Sequence, residues 1–173
     1  MRSFQALRLI MKFCLVDRIT NLVPGESIRA LKHVSLAEEY LQDHFPGFAV
    51  LPGVLMVECM VQTCAWLSRV SDDFRYSTLL LHQARAVRFN GFVKPGETLV
   101  VTASYRGGTA VQPEFQVAGT VDGRSAVSAR LTLSLQNLSD QNPALRENDD
   151  RLITSLRELL AQVDGTGLFA ARP

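Results

Sequence analysis

The sequence is poor in features that would commit it to a class by composition alone. Its 173 residues include only three cysteines, Cys14, Cys59 and Cys64. The number is odd and no two form a C-x-x-C pair, so neither a disulfide framework nor a zinc site is suggested, and a reducing cytoplasm fits best. Charge of one sign is also lacking: the net charge is +1 and 20% of residues are charged, so nothing pulls the chain toward nucleic acid or anionic membranes. No long apolar run goes uninterrupted. The longest, Val50 to Leu67, is broken by Pro52, Glu58, Gln62 and Thr63, which suits a soluble core helix better than a membrane span. The basic opening "MRSFQALRLIMKF" has too short an apolar stretch for a signal peptide and no small-residue cleavage site. Met11 is a second candidate start, and residues 1–11 read as an extension.

What is present is 47% hydrophobic residues in a length that suits one domain with appendages. "KFCLVDRIT" (12–20) and "ESIRALKHV" (26–34) read as two strands, joined where Pro24-Gly25 fits the corners of a type II turn. A polar and helical "SLAEEYLQD" follows, then a Pro/Gly-rich loop at 46–53 and the strongest helix signal, 54–70. Strands are expected near 78–91, 97–106, 113–122 and 124–136, broken at "KPGE", "RGG" and "VDGR". The domain therefore covers 12–136. Residues 137–173 read as a polar linker and an amphipathic helix ending at Gly165, which either covers an apolar patch, adds an assembly contact or attaches loosely. A helix apolar nearly all round needs cover on nearly all sides, and an antiparallel sheet curved around it would supply that cover. The expected class is α+β.

One stripe of that helix carries Glu58, Gln62, Ala65 and Arg69, with Val54 and Val61 beside it. On spacing alone the plain reading is a solvated face, with Glu58 and Gln62 as an i, i+4 surface pair. Two features oppose it. The stripe starts at the Pro52-Gly53 helix entry, where backbone N–H groups are unpaired donors, and His44 lies just upstream in a loop constrained by proline and glycine. Imidazole, carboxyl and amide donors at one helix end are the parts for proton transfer next to a carbonyl. A base near neutral pKa can remove a proton alpha to a thioester, amides can hold the developing enolate, and a carboxyl in apolar surroundings can keep a proton for a departing hydroxyl. His33 and His82 are isolated and read as surface or satisfied histidines. Arg85, Arg88, Lys94 and Arg106 read either as a basic patch for an acidic partner or as ordinary surface.

The stretch "HFPGFAVLPGVLMVECMVQ" resembles the active-site signature of the FabZ-type beta-hydroxyacyl-acyl-carrier-protein dehydratases of the hot-dog superfamily, whose usual wording is close to HFPGxPxMPGVLxxEAxAQ. The match covers His44, Phe45, Pro46, Gly47, Pro52, Gly53, Val54, Leu55, Glu58 and Gln62 without a gap. "LVDRI" at 15–19 and "ARAVRFNGFVKPGETL" at 84–99 resemble flanking family segments. Departures are Ala49 for a proline, Leu51 for a methionine and Gly91-Phe92 where an arginine-proline pair is common; they leave the histidine and glutamate in place and bear on tunnel shape.

This resemblance implies a hot-dog fold and reversible dehydration of 3-hydroxyacyl thioesters on acyl carrier protein to trans-2-enoyl thioesters, without metal or other cofactor. It implies His44 as base, Glu58 as acid or orienting group, the Gly53 amide as donor to the thioester carbonyl and Gln62 as support for Glu58. Phe45, Pro52 and Val54 join Gly53 and Gln62 as substrate-binding residues. It further implies a cytoplasmic homodimer, with trimers of dimers as a further assembly, in which His44 of one chain faces Glu58 of the other. Glutamate at 58, where the double-bond-isomerising relative has aspartate, argues against isomerisation. Alternatives are a hot-dog thioesterase that activates water with a carboxylate, and a non-catalytic acyl-binding module.

Overall fold

Turn chemistry sets the sheet. Gly25 (φ 74°) and Gly96 (φ 88°) follow prolines in two turns closed by Glu26 N–H to Val23 O and Glu97 N–H to Lys94 O, each 3.0 Å. Such corners require positive φ at their third residue, which glycine adopts without strain. Asp122 and Gly123 both have positive φ, the pattern of the tight hairpin turn whose twist matches its flanking strands. The computed structural model describes residues 13–43, 45 and 47–168. The expected extension at 1–11 therefore lies outside the described residues.

Among the described residues six strands form one antiparallel sheet: β1 Arg18–Val23, β2 Ser27–His33, β3 Thr78–Phe89, β4 Thr98–Thr109, β5 Gln112–Val121 and β6 Arg124–Gln136. Their order is β1-β2-β4-β5-β6-β3. Among the described residues, the α-helices that accompany them are α1 Tyr40–Asp43, α2 Gly53–Ser71 and α3 Arg146–Val163. The long helix α2 packs against the inner face of the sheet, where Ile28, Ala30, Leu99, Val101, Phe115, Val117, Leu131 and Leu133 are buried. Met60, Cys64, Trp66 and Leu67 of α2 fill the concavity. Within the helix, Thr63, Ser68 and Ser71 satisfy their hydroxyls on carbonyls one turn back. Among the described residues, no helix is long and apolar enough to cross a membrane.

Three expectations need correction. Strand β1 starts at Arg18, not 12, because residues 13–15 bond to the Gln62 side chain instead of a neighbouring strand. "SLAEEYLQD" is helical only from Tyr40; the Glu38 carboxylate accepts Ser35 N–H at 2.9 Å and turns the chain there. "RGG" does not end β4, which runs to Thr109 through a bulge between Tyr105 and Gly107. Gly108 permits this: at φ 101°, a Cβ would stand 2.3 Å from Gln112 O.

The tail docks on the same chain. Leu156, Leu160 and Val163 of α3 join the core, and Arg157 bonds Asp73 at 2.9 Å while stacking on Phe74. After the helix, Gly165 N–H donates to Ile19 O of β1 at 2.8 Å. Buried Asp149 accepts hydrogen bonds from Ser77 Oγ, Leu138 N–H and Ser139 N–H. Desolvation alone would raise this carboxyl, but the donors outweigh it and hold its pKa at about 2.

Candidate active site

Helix α2 begins where Pro52, with φ −55° and ψ 139°, caps it without a side-chain bond. Its carbonyl accepts both Leu55 N–H and Met56 N–H, at 2.9 and 3.0 Å. The amides of Gly53 and Val54 meet no acceptor among the described residues, as the first amides of a helix do where no cap reaches them, and they are available as donors. The Phe89 ring lies over Gly53 so closely that a Cβ there would be 3.1 Å from two ring carbons. Leu51 N–H bonds Val93 O at 2.8 Å, tying the loop before α2 to the segment after β3. Across that tie Phe48 and Phe92 meet edge to face at 5.3 Å. Val54, 74% exposed, projects outward beside this aromatic wall.

Glu58 lies in the second turn of α2 and is half-buried. Gln62 Nε2 donates to its Oε1 at 2.9 Å and to Phe13 O at 3.0 Å, while Gln62 Oε1 accepts Leu15 N–H at 2.8 Å. The Leu15 bond orients the amide, since only its oxygen can accept. The NH2 group is thereby aimed at Glu58. The solvated-face reading of this stripe fails on its neighbours: Val61 and Ala65 are buried, and burial pulls Arg69 down to about 10 while its guanidinium lies 5.4 Å from the Trp66 ring centre.

His44, the predicted base, and Pro46 lie outside the described residues. Their neighbours are held by strong constraints. Phe45, 55% exposed, has φ 54° and its carbonyl accepts Phe48 N–H at 2.8 Å. Upstream, the Glu38 carboxylate accepts from Ser35 N–H, from the Tyr40 hydroxyl and from buried Lys32 Nζ at 3.0 Å. Desolvation works against the Glu38 charge, yet these donors hold its pKa below the usual range. Burial and then the neighbouring carboxylate push the Tyr40 phenol upward, keeping its proton. Phe13 links the two halves: its ring packs edge-on to Tyr40 at 6.1 Å, and its carbonyl holds Gln62.

The sequence reading placed Glu58 and Gln62 on one stripe of a helix entered at Pro52-Gly53 with Val54 beside it, and the helix Gly53–Ser71 carries them in that arrangement. It did not anticipate the Lys32–Glu38–Tyr40 hydrogen-bond cluster or the Phe89 ring over Gly53. One signal was available: Lys32 continues the inward alternation of Ile28 and Ala30, and a lysine on a core face requires a partner. Cys59 and Cys64 are buried, and burial pushes Cys59 to about 12, as inert core thiols require. The supposed basic patch divides. Arg85 and Arg106 line a groove with Arg130, whereas Lys94 lies 5.8 Å from the Phe48 ring centre. Among the described residues no cluster of His, Cys, Asp and Glu could hold a metal ion.

Comparison with known proteins identifies the family. A family model described as a FabA-like domain matches residues 9–130. The 3-hydroxyacyl-acyl-carrier-protein dehydratase FabZ of Polynucleobacter asymbioticus is 38% identical over 125 residues, covering 72% of this chain and 84% of that protein. The FabZ of Latilactobacillus sakei is 35% identical over 122 residues, covering 70% and 87%. Among solved structures, a dehydratase heterocomplex from Xenorhabdus doucetiae is similar with TM-score 0.65 at 19% identity, covering 77% of this chain and 90% of that one. A thioesterase from Pseudomonas aeruginosa follows at TM-score 0.53 and 15% identity, covering 69% and 80%. These two establish the hot-dog fold and no more, since they differ in activity; the sequence matches discriminate. The chain belongs to the FabA-like family, among the FabZ-type dehydratases.

Proposed function

We propose that the protein reversibly dehydrates 3-hydroxyacyl thioesters carried on acyl carrier protein, as part of fatty-acid or related lipid synthesis in the cytoplasm. The observation that carries this reading is the Glu58 carboxyl, oriented by the clamped Gln62 amide within a signature shared with FabZ enzymes. In the proposed mechanism, His44 takes the C2 proton of the substrate. The Gly53 amide donates to the thioester oxygen as charge gathers there, and Glu58 delivers a proton to the C3 hydroxyl. The C2–H and C3–O bonds break, the C2=C3 double bond forms and water leaves; exchange with solvent then restores both side chains. The alkyl tail runs along the aromatic wall of Phe48, Phe89 and Phe92.

The active unit is proposed to be a homodimer joined at β3. This edge strand is twelve residues long, every residue from Leu80 to Ala86 is exposed, and Leu80, Leu81 and Phe89 are among its apolar side chains. A long apolar edge left unpaired would invite aggregation. Pairing two β3 strands covers it and brings the exposed Val54 and the half-buried Glu58 toward the partner, whose His44 completes the site.

The test is turnover of 3-hydroxyacyl thioesters, followed by absorbance of the conjugated enoyl product. Wild type is expected to form it, and His44→Ala and Glu58→Gln to lose it while remaining folded. Product from either variant removes that residue from its role. Release of free thiol instead would transfer the assignment to a thioesterase, and neither product from a folded dimer to an acyl-binding module.

A further inference from the structure

A groove stands apart from α2. On the outer face of the sheet Arg85, Arg106, Glu114, Gln116, Arg130 and Thr132 line a groove of about 450 Å³. Ala129 and Leu131 on either side of Arg130 are buried in the core, so Arg130 itself points away from the Glu58 side. The register sets two of the arginines against each other: Arg85 of β3 is directly opposite Arg130 of β6, which is directly opposite Gln116 of β5. Side chains so paired start about 5 Å apart, and like charges there destabilise the sheet. Arg106 of β4 adds a third cation beside the bulge between Tyr105 and Gly107.

Ordinary surface would quench this repulsion with carboxylates. Here Glu114 is the one acid lining the groove, and among the described residues neither it nor any other carboxylate pairs with the three arginines. Arg130 Nε instead donates to Gln116 Oε1 at 3.4 Å, leaving both terminal NH2 groups of its fork for a ligand. Arg85 is fixed from its other side by backbone strain. The next residue, Ala86, has φ 50°, which alanine rarely adopts, in a bulge that separates Arg85 from Arg88. The like-charge pair costs stability, and an anion between the guanidinium groups would offset that repulsion.

We infer that this outer-face groove is a binding site for a small ligand carrying a doubly charged phosphate group, a phosphate monoester or a diphosphate, held by Arg85, Arg106 and Arg130. Guanidinium forks match phosphate oxygens in bidentate geometry, and the exposed, shallow groove suits a headgroup better than an acyl chain. The groove lies on the face of the sheet opposite Glu58, and Arg106 and Arg130 lie on β4 and β6, not on the β3 edge that carries Arg85 and the proposed dimer seam.

Calorimetric titration of the full chain with pyrophosphate and with inorganic phosphate, at ionic strength held constant with sodium chloride, tests it without reference to turnover. Saturable pyrophosphate binding is expected, weakened about tenfold or more in Arg130→Gln and in Arg85→Gln, as loss of one charge-assisted fork predicts. Unliganded Arg130→Gln is expected to melt at or above wild type in low salt, since it removes a like-charge pair; Arg85→Gln serves as the second probe should Arg130→Gln fold poorly. Absence of saturable binding in wild type, or binding unchanged in both variants, overturns the inference.

Discussion

Gln62 has one amide and three partners. Its oxygen accepts Leu15 N–H, and its nitrogen serves both Phe13 O and Glu58. Replacing it with methionine keeps the volume and removes all three bonds, leaving a Leu15 donor unpaired in a segment whose side chain is buried. A loss of about 1–3 kcal/mol in denaturant unfolding is expected, together with a fall in kcat at nearly constant KM, because Glu58 loses its orientation while the binding wall is untouched. A stability loss with unchanged kcat would make Gln62 a brace for the N-terminal segment only. Lys32 gives a sharper contrast in energetics. Its side chain is 6% exposed and its ammonium pairs with Glu38 and Asp17, whereas the side chains of the Arg151–Glu147 pair on α3 are 62% and 77% exposed. Lys32→Met is expected to cost about 1.5–3 kcal/mol by removing the cation from Glu38, which keeps its Ser35 and Tyr40 donors, and Arg151→Ala under about 1 kcal/mol, both read from chemical melts. Glu58 and Gln62 were legible from sequence because a helix repeats on itself. The Phe13–Leu15 clamp was not, because it joins residues 47 positions apart and no local pattern encodes that meeting.

Among the elements, the turns were the most legible, since Pro-Gly and Asp-Gly chemistry is written in the residues that form them. Boundaries decided by distant partners were not. β1 begins late because Gln62 takes the amide of Leu15, and β4 overruns two glycines because those glycines let a bulge form where a break was expected. Helix α3 was visible from its spacing, while its anchor, Asp149, was not. The charge of that residue makes docking dependent on pH. The folded pKa, about 2, is below the ordinary value of 3.8, so its contribution is full above pH about 4 and is lost as pH falls through about 2. That difference is worth on the order of 2 kcal/mol. Asp149→Asn is expected to lose a similar amount at pH 7 and to flatten the acid limb of the stability curve between pH 4 and 2, measured by circular dichroism during urea titration. An unchanged acid limb would show that other carboxylates control it.

At the scale of the whole molecule, an antiparallel sheet wrapped on an apolar helix followed from the pattern, but the strand order did not. β3 lies at an edge, beside β6 rather than β2 or β4, because its pairing depends on contacts across the core. That placement exposes β3 for a partner, and the proposed sharing of active sites across the pair has a consequence that simple loss of activity lacks. In a two-fold dimer each site would take His44 from one chain and Glu58 from the other. A heterodimer of a His44→Ala chain with a Glu58→Gln chain would then carry one site with both substitutions and one site wholly intact. Co-refolding equal amounts of the two inactive variants should yield heterodimers in half of the population, each with one working site of two, and so about a quarter of wild-type turnover. Sites contained within single chains would leave every site in the mixture defective, and the co-refolded sample would stay as inactive as its parents. Adding Leu81→Lys to both variants sets the control at the edge strand itself: a charge on each β3 should oppose pairing, shift the protein toward monomer in size-exclusion light scattering, and abolish the rescue in proportion to the dimer lost.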